Sequence, residues 1–241
     1  TSNEVFDLES FPERLLVVGG GYIAVEFAGI FNGLGASVTQ LYRGPLFLRG
    51  FDTDVRAHLA QEMRKAGVDL RFETNVVEIH KTTSGLRVDL SDGSDIDVDA
   101  VLFALGRRPH LEGLGLENTN VALTSHGTIE VDEYFRTAEP SIFALGDVIG
   151  GMELTPVALA EGMSFARREF GSLEKDVDYD FIPTAVFSQP NIGTVGYTES
   201  EAQIKFGEIT LYKSTFKPMK NTISGRDEKS FMKLIVEDAT D

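Results

Sequence analysis

Apolar residues fall along this chain in short solid runs near its start and in alternating or helical spacing further on. Leu15-Leu-Val-Val18 is a solid run closed by Gly19-Gly-Gly21, the pattern of a strand buried on both faces and ended by a turn. A helix is expected to open at Tyr22 and to stay apolar from Ile23 to Ile30 apart from Glu26. Ser37–Tyr42 reads as the second strand. Asp52-Thr-Asp54 then opens a helix with Val55, Leu59, Met63 and Ala66 near helical spacing, and Gly67 stops it. Strands follow at Val68–Phe72 and Asn75–His80. Two more, Leu86–Leu90 and Ile96–Val98, flank the hairpin signal Ser91-Asp-Gly-Ser94. Val101–Gly106 is a further buried strand. The order predicts an α/β, doubly wound parallel sheet carrying an antiparallel strand insertion.

The pattern changes at Arg107–Asn120, a glycine-rich loop with Pro109, and a domain boundary is set there. A second segment holds Thr128–Val131, Ser141–Val148 and a helix running to about Phe170, with Thr155 as its N-cap and Pro156 at its first position. The acidic stretch Glu174–Asp180 marks the next boundary. Beyond it come strands at Thr184–Phe187, Gly193–Tyr197, Thr210–Phe216 and Ser230–Val236, with one helix from Glu199 to Phe206. The expected domains are 1–109, 110–178 and 179–241. The last is read as unfinished, because the sequence stops just after an apolar strand.

The first turn carries candidate chemistry. A phosphate cannot approach a backbone crowded by Cβ atoms, and Gly19 and Gly21 remove them where the chain bends. The following helix directs unpaired N–H groups and its positive dipole end at a pyrophosphate. Ala24 stands at the third small position, as the G-x-G-x-x-G/A dinucleotide fingerprint allows. Roughly 20 residues on, at the end of the second strand, an NAD site places an acidic residue for the ribose 2′-OH. This chain has Arg43 and then Arg49 instead. Two guanidiniums grip a 2′-phosphate and no carboxylate repels it, so the expected cofactor is NADPH.

Composition narrows the rest. The 241 residues, 42% hydrophobic and 25% charged, suffice for a core and more than one domain. A net charge of −16 argues against nucleic acid or an anionic membrane as partner. No run is long enough to span a bilayer, and a cytoplasmic setting is expected. With no cysteine the chain carries neither a disulfide nor a redox dithiol of its own. His58, His80, His110 and His126 are scattered without metal spacing, so no metal is expected.

Several segments together carry a resemblance. They are Gly19-Gly-Gly-Tyr-Ile-Ala-Val-Glu-Phe-Ala-Gly29, Tyr42-Arg-Gly-Pro-Leu-Phe-Leu-Arg-Gly-Phe-Asp52, Ala104-Leu-Gly-Arg-Arg-Pro109, Ala144-Leu-Gly-Asp-Val148, Leu154-Thr-Pro-Val-Ala158 and Phe187-Ser-Gln-Pro-Asn-Ile-Gly-Thr-Val-Gly196. The chain resembles the flavoprotein disulfide reductases over nearly its whole length, most closely the branch that reduces glutathione disulfide. The resemblance implies a Rossmann-like NADPH domain, then the remainder of an FAD domain, then the start of an α+β interface domain of a homodimer. It implies Tyr22 as an aromatic gate over the flavin and Glu26 as partner of a buried lysine. It also implies that Ala104 and Gly106 line the NADPH groove. Asp147 would bind the FAD ribitol, with Leu154 and Thr155 at the flavin ring. The family's FAD fingerprint, cysteine pair and His-Glu pair are not in the sequence, so the chain is expected to be part of a longer polypeptide. A trypanothione-type or lipoyl-type relative, or a non-catalytic nucleotide-binding or dimerisation module, are the alternatives.

Overall fold

A computed structural model describes residues 1–171 and 177–239. After a short 3-10 turn at Glu4–Asp7 the chain runs β1 (Arg14–Val18), α1 (Tyr22–Gly33), β2 (Ser37–Tyr42), α2 (Thr53–Lys65) and β3 (Asp69–Phe72). Then come β4 (Val76–Thr82), β5 (Gly85–Leu90), β6 (Asp95–Val98) and β7 (Ala100–Phe103). The parallel sheet has the order β3-β2-β1-β7, and β4, β5 and β6 form a separate antiparallel sheet.

Strand β1 shows why its sequence is apolar at every position. Alternate side chains point to opposite faces. Leu15 and Val17 join a core with Ala24, Val25 and Ala28 of α1 and Leu59 and Met63 of α2. Leu16 and Val18 join Leu41 in a second core with Val88 and Leu90 of β5 and Val98 of β6. Helices thus cover one face of the parallel sheet and the inserted antiparallel sheet covers the other. The insertion is held at its base by Asp99, whose carboxylate accepts from the Arg14 backbone N–H at 2.8 Å and from its guanidinium Nη2 at 2.6 Å.

The chain divides into two compact units, Thr1–Gly106 with Pro183–Asp241, and Arg107–Ile182. Within the second unit the segments 128–131 and 141–148 form isolated bridges, Leu123 with Ile129 and Arg136 with Phe143. A strand needs a partner along its length, and here each segment pairs at one point only. Gly146–Ile149 instead coils into a 3-10 turn, and α3 (Thr155–Phe170) follows. Thr155 is not the N-cap of α3. Leu154 is, with φ −129° and ψ 133°, and its carbonyl accepts from Val157 at 2.9 Å and Ala158 at 3.1 Å. Thr155 and Pro156 are therefore the first and second helical residues. Of the acidic stretch expected as a linker, residues 174–176 lie outside the described residues.

The rest of the first unit comprises β8 (Thr184–Val186), β9 (Ile192–Thr194), α4 (Glu199–Phe206), β10 (Ile209–Phe216), α5 (Lys220–Ser224) and β11 (Ser230–Glu237). Strands β8 and β9 pair with each other, as do β10 and β11, all antiparallel. Strand β9 starts and ends earlier than the expected 193–197, since pairing with β8 stops at Thr194. Helix α4 begins where expected because Thr198 and Glu201 form a reciprocal capping box.

Candidate nucleotide site

The parallel order places β1 between β2 and β7, so the chain moves off in opposite directions on either side of it. The carboxyl ends of β1, β2 and β7 meet there, Val18 lying level with Leu41 and with Phe103. Such a switch point is where open α/β sheets hold ligands.

The three glycines have different reasons. Gly19 sits at φ +148°, and a Cβ on it would lie 2.3 Å from the Ala104 carbonyl oxygen. Its neighbour there is the protein's own backbone, which corrects the expectation that its Cβ is missing for the phosphate's sake. Gly20 is buried beneath Tyr42, whose ring a Cβ would meet at 2.3 Å. Gly21 has nothing within 4 Å of its Cβ position and is the N-cap of α1. It leaves an open approach to the first turn, whose N–H groups precede the first helical bond, Val25 N–H to the Gly21 carbonyl at 3.2 Å. The turn is tied from three sides. The Gly19 N–H donates to Leu41 at 2.9 Å, the buried Gln40 amide donates to the Gly19 carbonyl at 3.0 Å, and Leu48 N–H donates to the Gly20 carbonyl at 2.6 Å.

Ala24 is fully buried and packs close to Gly19, its Cβ 3.2 Å from the position a Gly19 Cβ would take. Ala104 follows the end of β7, one residue beyond the observed strand, and its N–H still donates to Val18 at 2.8 Å. The expected strand to Gly106 stops short because Leu105 and Gly106 have turned out to solvent, Gly106 at φ +135°. Arg43 directly follows β2, and Arg49 lies in the loop that Leu48 pins to the glycine turn. Both are exposed, and among the described residues neither enters a hydrogen bond or ion pair. The structure thus gathers Gly19, Gly21, Ala24, Arg43, Arg49 and Ala104 at one edge of the sheet.

Tyr22 opens α1 with 42% of its surface exposed. Glu26, one turn on, is half-buried and accepts from the Phe187 N–H at 2.9 Å. Among the described residues no lysine pairs with it.

Asp147, Leu154 and Thr155 belong to the second unit. Asp147 is exposed in the 3-10 turn after Gly146, which sits at φ +73° against Ala158 of α3. Glu161, buried on α3, accepts from the Gly146 N–H at 2.6 Å and from the Tyr179 hydroxyl at 2.9 Å. Burial first, and then the Glu161 hydrogen bond, push the Tyr179 phenol up to about 12. Thr155 supplies the first N–H of α3, which has no acceptor within the helix. The Asp147 turn and the α3 start therefore sit side by side.

Sequence reading missed Gly20, Gln40 and Arg56. The side chain of Arg56 reaches from α2 to donate to the Leu46 and Phe47 carbonyls, both at 2.6 Å. A buried glutamine in an apolar strand was the one available signal. Sequence spacing also missed a cross-strand contact in which His80 Nε2 stands 3.1 Å from Asp89 and 3.7 Å from Glu78. These three groups are exposed or half-exposed, and they meet only through the register of β4 on β5. Among the described residues no helix is long and apolar enough to cross a membrane.

Comparison with known proteins agrees with this geometry. Residues 1–162 match the pyridine nucleotide-disulphide oxidoreductase family, and residues 182–241 match the dimerisation domain of that family. A glutathione reductase of Burkholderia cepacia is 48% identical over 241 residues, covering 100% of this chain and 54% of its own length. A trypanothione reductase of Trypanosoma congolense is 43% identical over 245 residues, covering 100% of this chain and 50% of its own. Among solved structures, the HOCl-induced flavoprotein disulfide reductase RclA from Escherichia coli superposes with a TM-score of 0.90 at 31% identity, covering 98% of this chain and 54% of that one. The chain spans about half the length of the curated relatives it matches. With a glycine turn at the switch point of its sheet and a family match over residues 1–162, the chain belongs to the pyridine nucleotide-disulphide oxidoreductases.

Proposed function

We propose that this chain supplies the NADPH site and part of the FAD site of a homodimeric, cytoplasmic glutathione-disulfide reductase. One observation carries the reading: Arg43 and Arg49 stand uncommitted beside the glycine turn, where an NAD-specific site holds a carboxylate. The residues fit a dinucleotide. Gly21 leaves the approach open, the α1 N-terminus favours the pyrophosphate, and the two guanidiniums favour a 2′-phosphate. Ala104 and Gly106 bound the same groove with little side-chain bulk.

In such an enzyme bound NADPH and FAD would supply the electron pair with which a dithiol reduces the disulfide. Tyr22, at the first turn of α1, would serve as the aromatic gate over the flavin face that moves when nicotinamide stacks. Glu26 holds the orientation of α1. Asp147 would accept hydrogen bonds from the FAD ribitol, and Leu154 and Thr155 would present the start of α3 to the flavin ring. In this reading residues 1–109 form the NADPH domain, 110–178 complete the FAD domain, and 179–241 begin the interface domain. Identity to the Burkholderia cepacia glutathione reductase, 48% against 43% for the trypanothione reductase, favours the glutathione substrate.

Calorimetric titration with NADPH and NADH tests the cofactor reading. Charged hydrogen bonds to two arginines predict a preference for NADPH of about a hundredfold. Equal affinity for the two would reject it. Steady-state assay with glutathione disulfide and trypanothione disulfide separates the substrates, and a higher kcat/KM for trypanothione disulfide would overturn the glutathione assignment.

A further inference from the structure

The geometry points to Arg56 as a positioning residue for 2′-phosphate recognition, acting through the loop that carries Arg43 and Arg49; the inference rests on the NADPH reading above. Between those two arginines the chain has no regular hydrogen-bonded element. Its shape must come from outside. Leu48 sits at φ +54°, a conformation that a leucine does not hold unaided, and Arg49 is the next residue.

Three ties hold it there. The Phe47 and Leu48 side chains are 0% and 2% exposed, plugged into the core with Phe72 against Phe47. The Leu48 N–H donates to the Gly20 carbonyl. Arg56 completes the set, Nε donating to the Phe47 carbonyl and Nη2 to the Leu46 carbonyl, both at 2.6 Å. A planar guanidinium bridging two successive carbonyls fixes their peptide planes as a single-point donor cannot. Those planes set the direction in which the chain leaves toward Arg49.

Arg56 also carries charge that nothing neutralises. It is half-buried, and among the described residues it enters no ion pair, although Asp52 and Asp54 lie in the same first turn. Both of those carboxylates are taken by Lys233. An arginine bonded only to carbonyls leaves its positive charge under the loop, where it favours an anion bound above. Arg56 thus has two effects of one sign, on the geometry of the arginine pair and on its field, and both fall most heavily on the 2′-phosphate that NADH lacks.

The probes are 2′,5′-ADP and ADP, which differ in the 2′-phosphate, titrated calorimetrically against the unaltered protein, Arg56→Met and Arg56→Lys. Methionine keeps the apolar stem, and lysine keeps the charge without the fork. Arg56→Met is expected to weaken 2′,5′-ADP about tenfold and ADP less than about twofold, with Arg56→Lys between the unaltered protein and Arg56→Met. Equal weakening of both probes, or an unchanged ratio in a folded variant, overturns the positioning role. If Arg56→Met does not fold, Arg56→Lys decides: a ratio equal to that of the unaltered protein rejects the fork. An unaltered protein with no preference for 2′,5′-ADP removes the NADPH reading itself, and the role of Arg56 with it. A preference that survives in Arg56→Met removes the role of Arg56 alone.

Discussion

Two groups of charge lie at either end of one short stretch, residues 43–54, and they are used in opposite ways. Arg43 and Arg49 project to solvent and bind nothing among the described residues. At the other end Lys233 of β11, its side chain 4% exposed, donates to Asp52 at 2.8 Å, Asp54 at 2.7 Å and Glu199 at 2.6 Å. Lys213 joins two of these carboxylates, reaching Asp54 at 2.6 Å and Glu199 at 3.3 Å. Asp52 is also the N-cap of α2 and accepts from the Asp54 N–H. The lysine cluster therefore fastens β11 and α4 to the start of α2. Charge sealed among partners builds architecture, and charge left at the rim is available to a ligand.

The sharpest way to break this contrast is to remove one buried charge. Lys233→Met leaves three carboxylates facing one another with only Lys213 beside them. Breaking a buried pair costs about 3–5 kcal/mol. Water reaches Asp54 and Glu199, so the lower end applies, about 3 kcal/mol in denaturant unfolding. A loss below about 1 kcal/mol would show the cluster to be ordinary surface pairing.

Removing the rim charges tests the other half. Arg43→Ala with Arg49→Ala is expected to leave unfolding free energy within about 0.5 kcal/mol, since neither side chain supports the fold. NADPH affinity should fall about a hundredfold and NADH affinity by no more than about threefold. Parallel losses for both cofactors would sink the specificity argument. Gly21→Ala sharpens the comparison from the backbone side. Nothing lies within 4 Å of its Cβ position and its φ of −84° suits alanine, so the fold should hold. The added methyl intrudes on the pyrophosphate approach and should weaken NADPH and NADH alike, by about tenfold. Unaltered affinity for both would place the pyrophosphate elsewhere.

The same contrast explains what the sequence made legible. The dinucleotide fold could be read because its signals are local: a solid apolar strand, a glycine turn and a helix start lie within twenty residues. Arg43 and Arg49 could be named as candidates because an exposed site needs only the right residue at the right distance along the chain. Arg56 and the Lys233 cluster were not. Lys233 meets Asp52 across 181 residues, and no periodicity in either segment announces the other. The role of Gly19 was misassigned for a related reason, since the carbonyl that excludes its Cβ belongs to Ala104, at the far end of the antiparallel insertion. In the second unit apolar spacing is present but a partner along the whole segment is not, and isolated bridges form there in place of a ladder.

Acid provides the mildest test of the buried cluster. Lys213 first, then Lys233, hold the Asp54 carboxyl below its usual range, and Lys233 does the same for Glu199. Burial pushes the Asp52 carboxyl up, yet the bonds from Lys233 and the Glu199 N–H outweigh it and leave it lowered. For Lys233 burial works downward and is outweighed by the three carboxylates, so its ammonium is held above the usual lysine range. Carboxyls lowered in the folded state contribute stability that is present above their unfolded values, about 4, and is lost as pH falls through the folded ones. The raised ammonium contributes stability that is complete below about 10.4 and lost only at higher pH. Between about pH 5 and 10 the cluster should therefore add a constant amount. Below about pH 4 its contribution should shrink, because the carboxyls of the unfolded chain take up protons while those of the folded cluster are still held ionised. The stability gap between the unaltered protein and Lys233→Met is expected to narrow by about 1 kcal/mol from pH 7 to pH 3, measured by denaturant unfolding at constant ionic strength. A gap that stays constant would mean that the carboxylates keep their charge without the lysine. Its cost would then be one of packing alone.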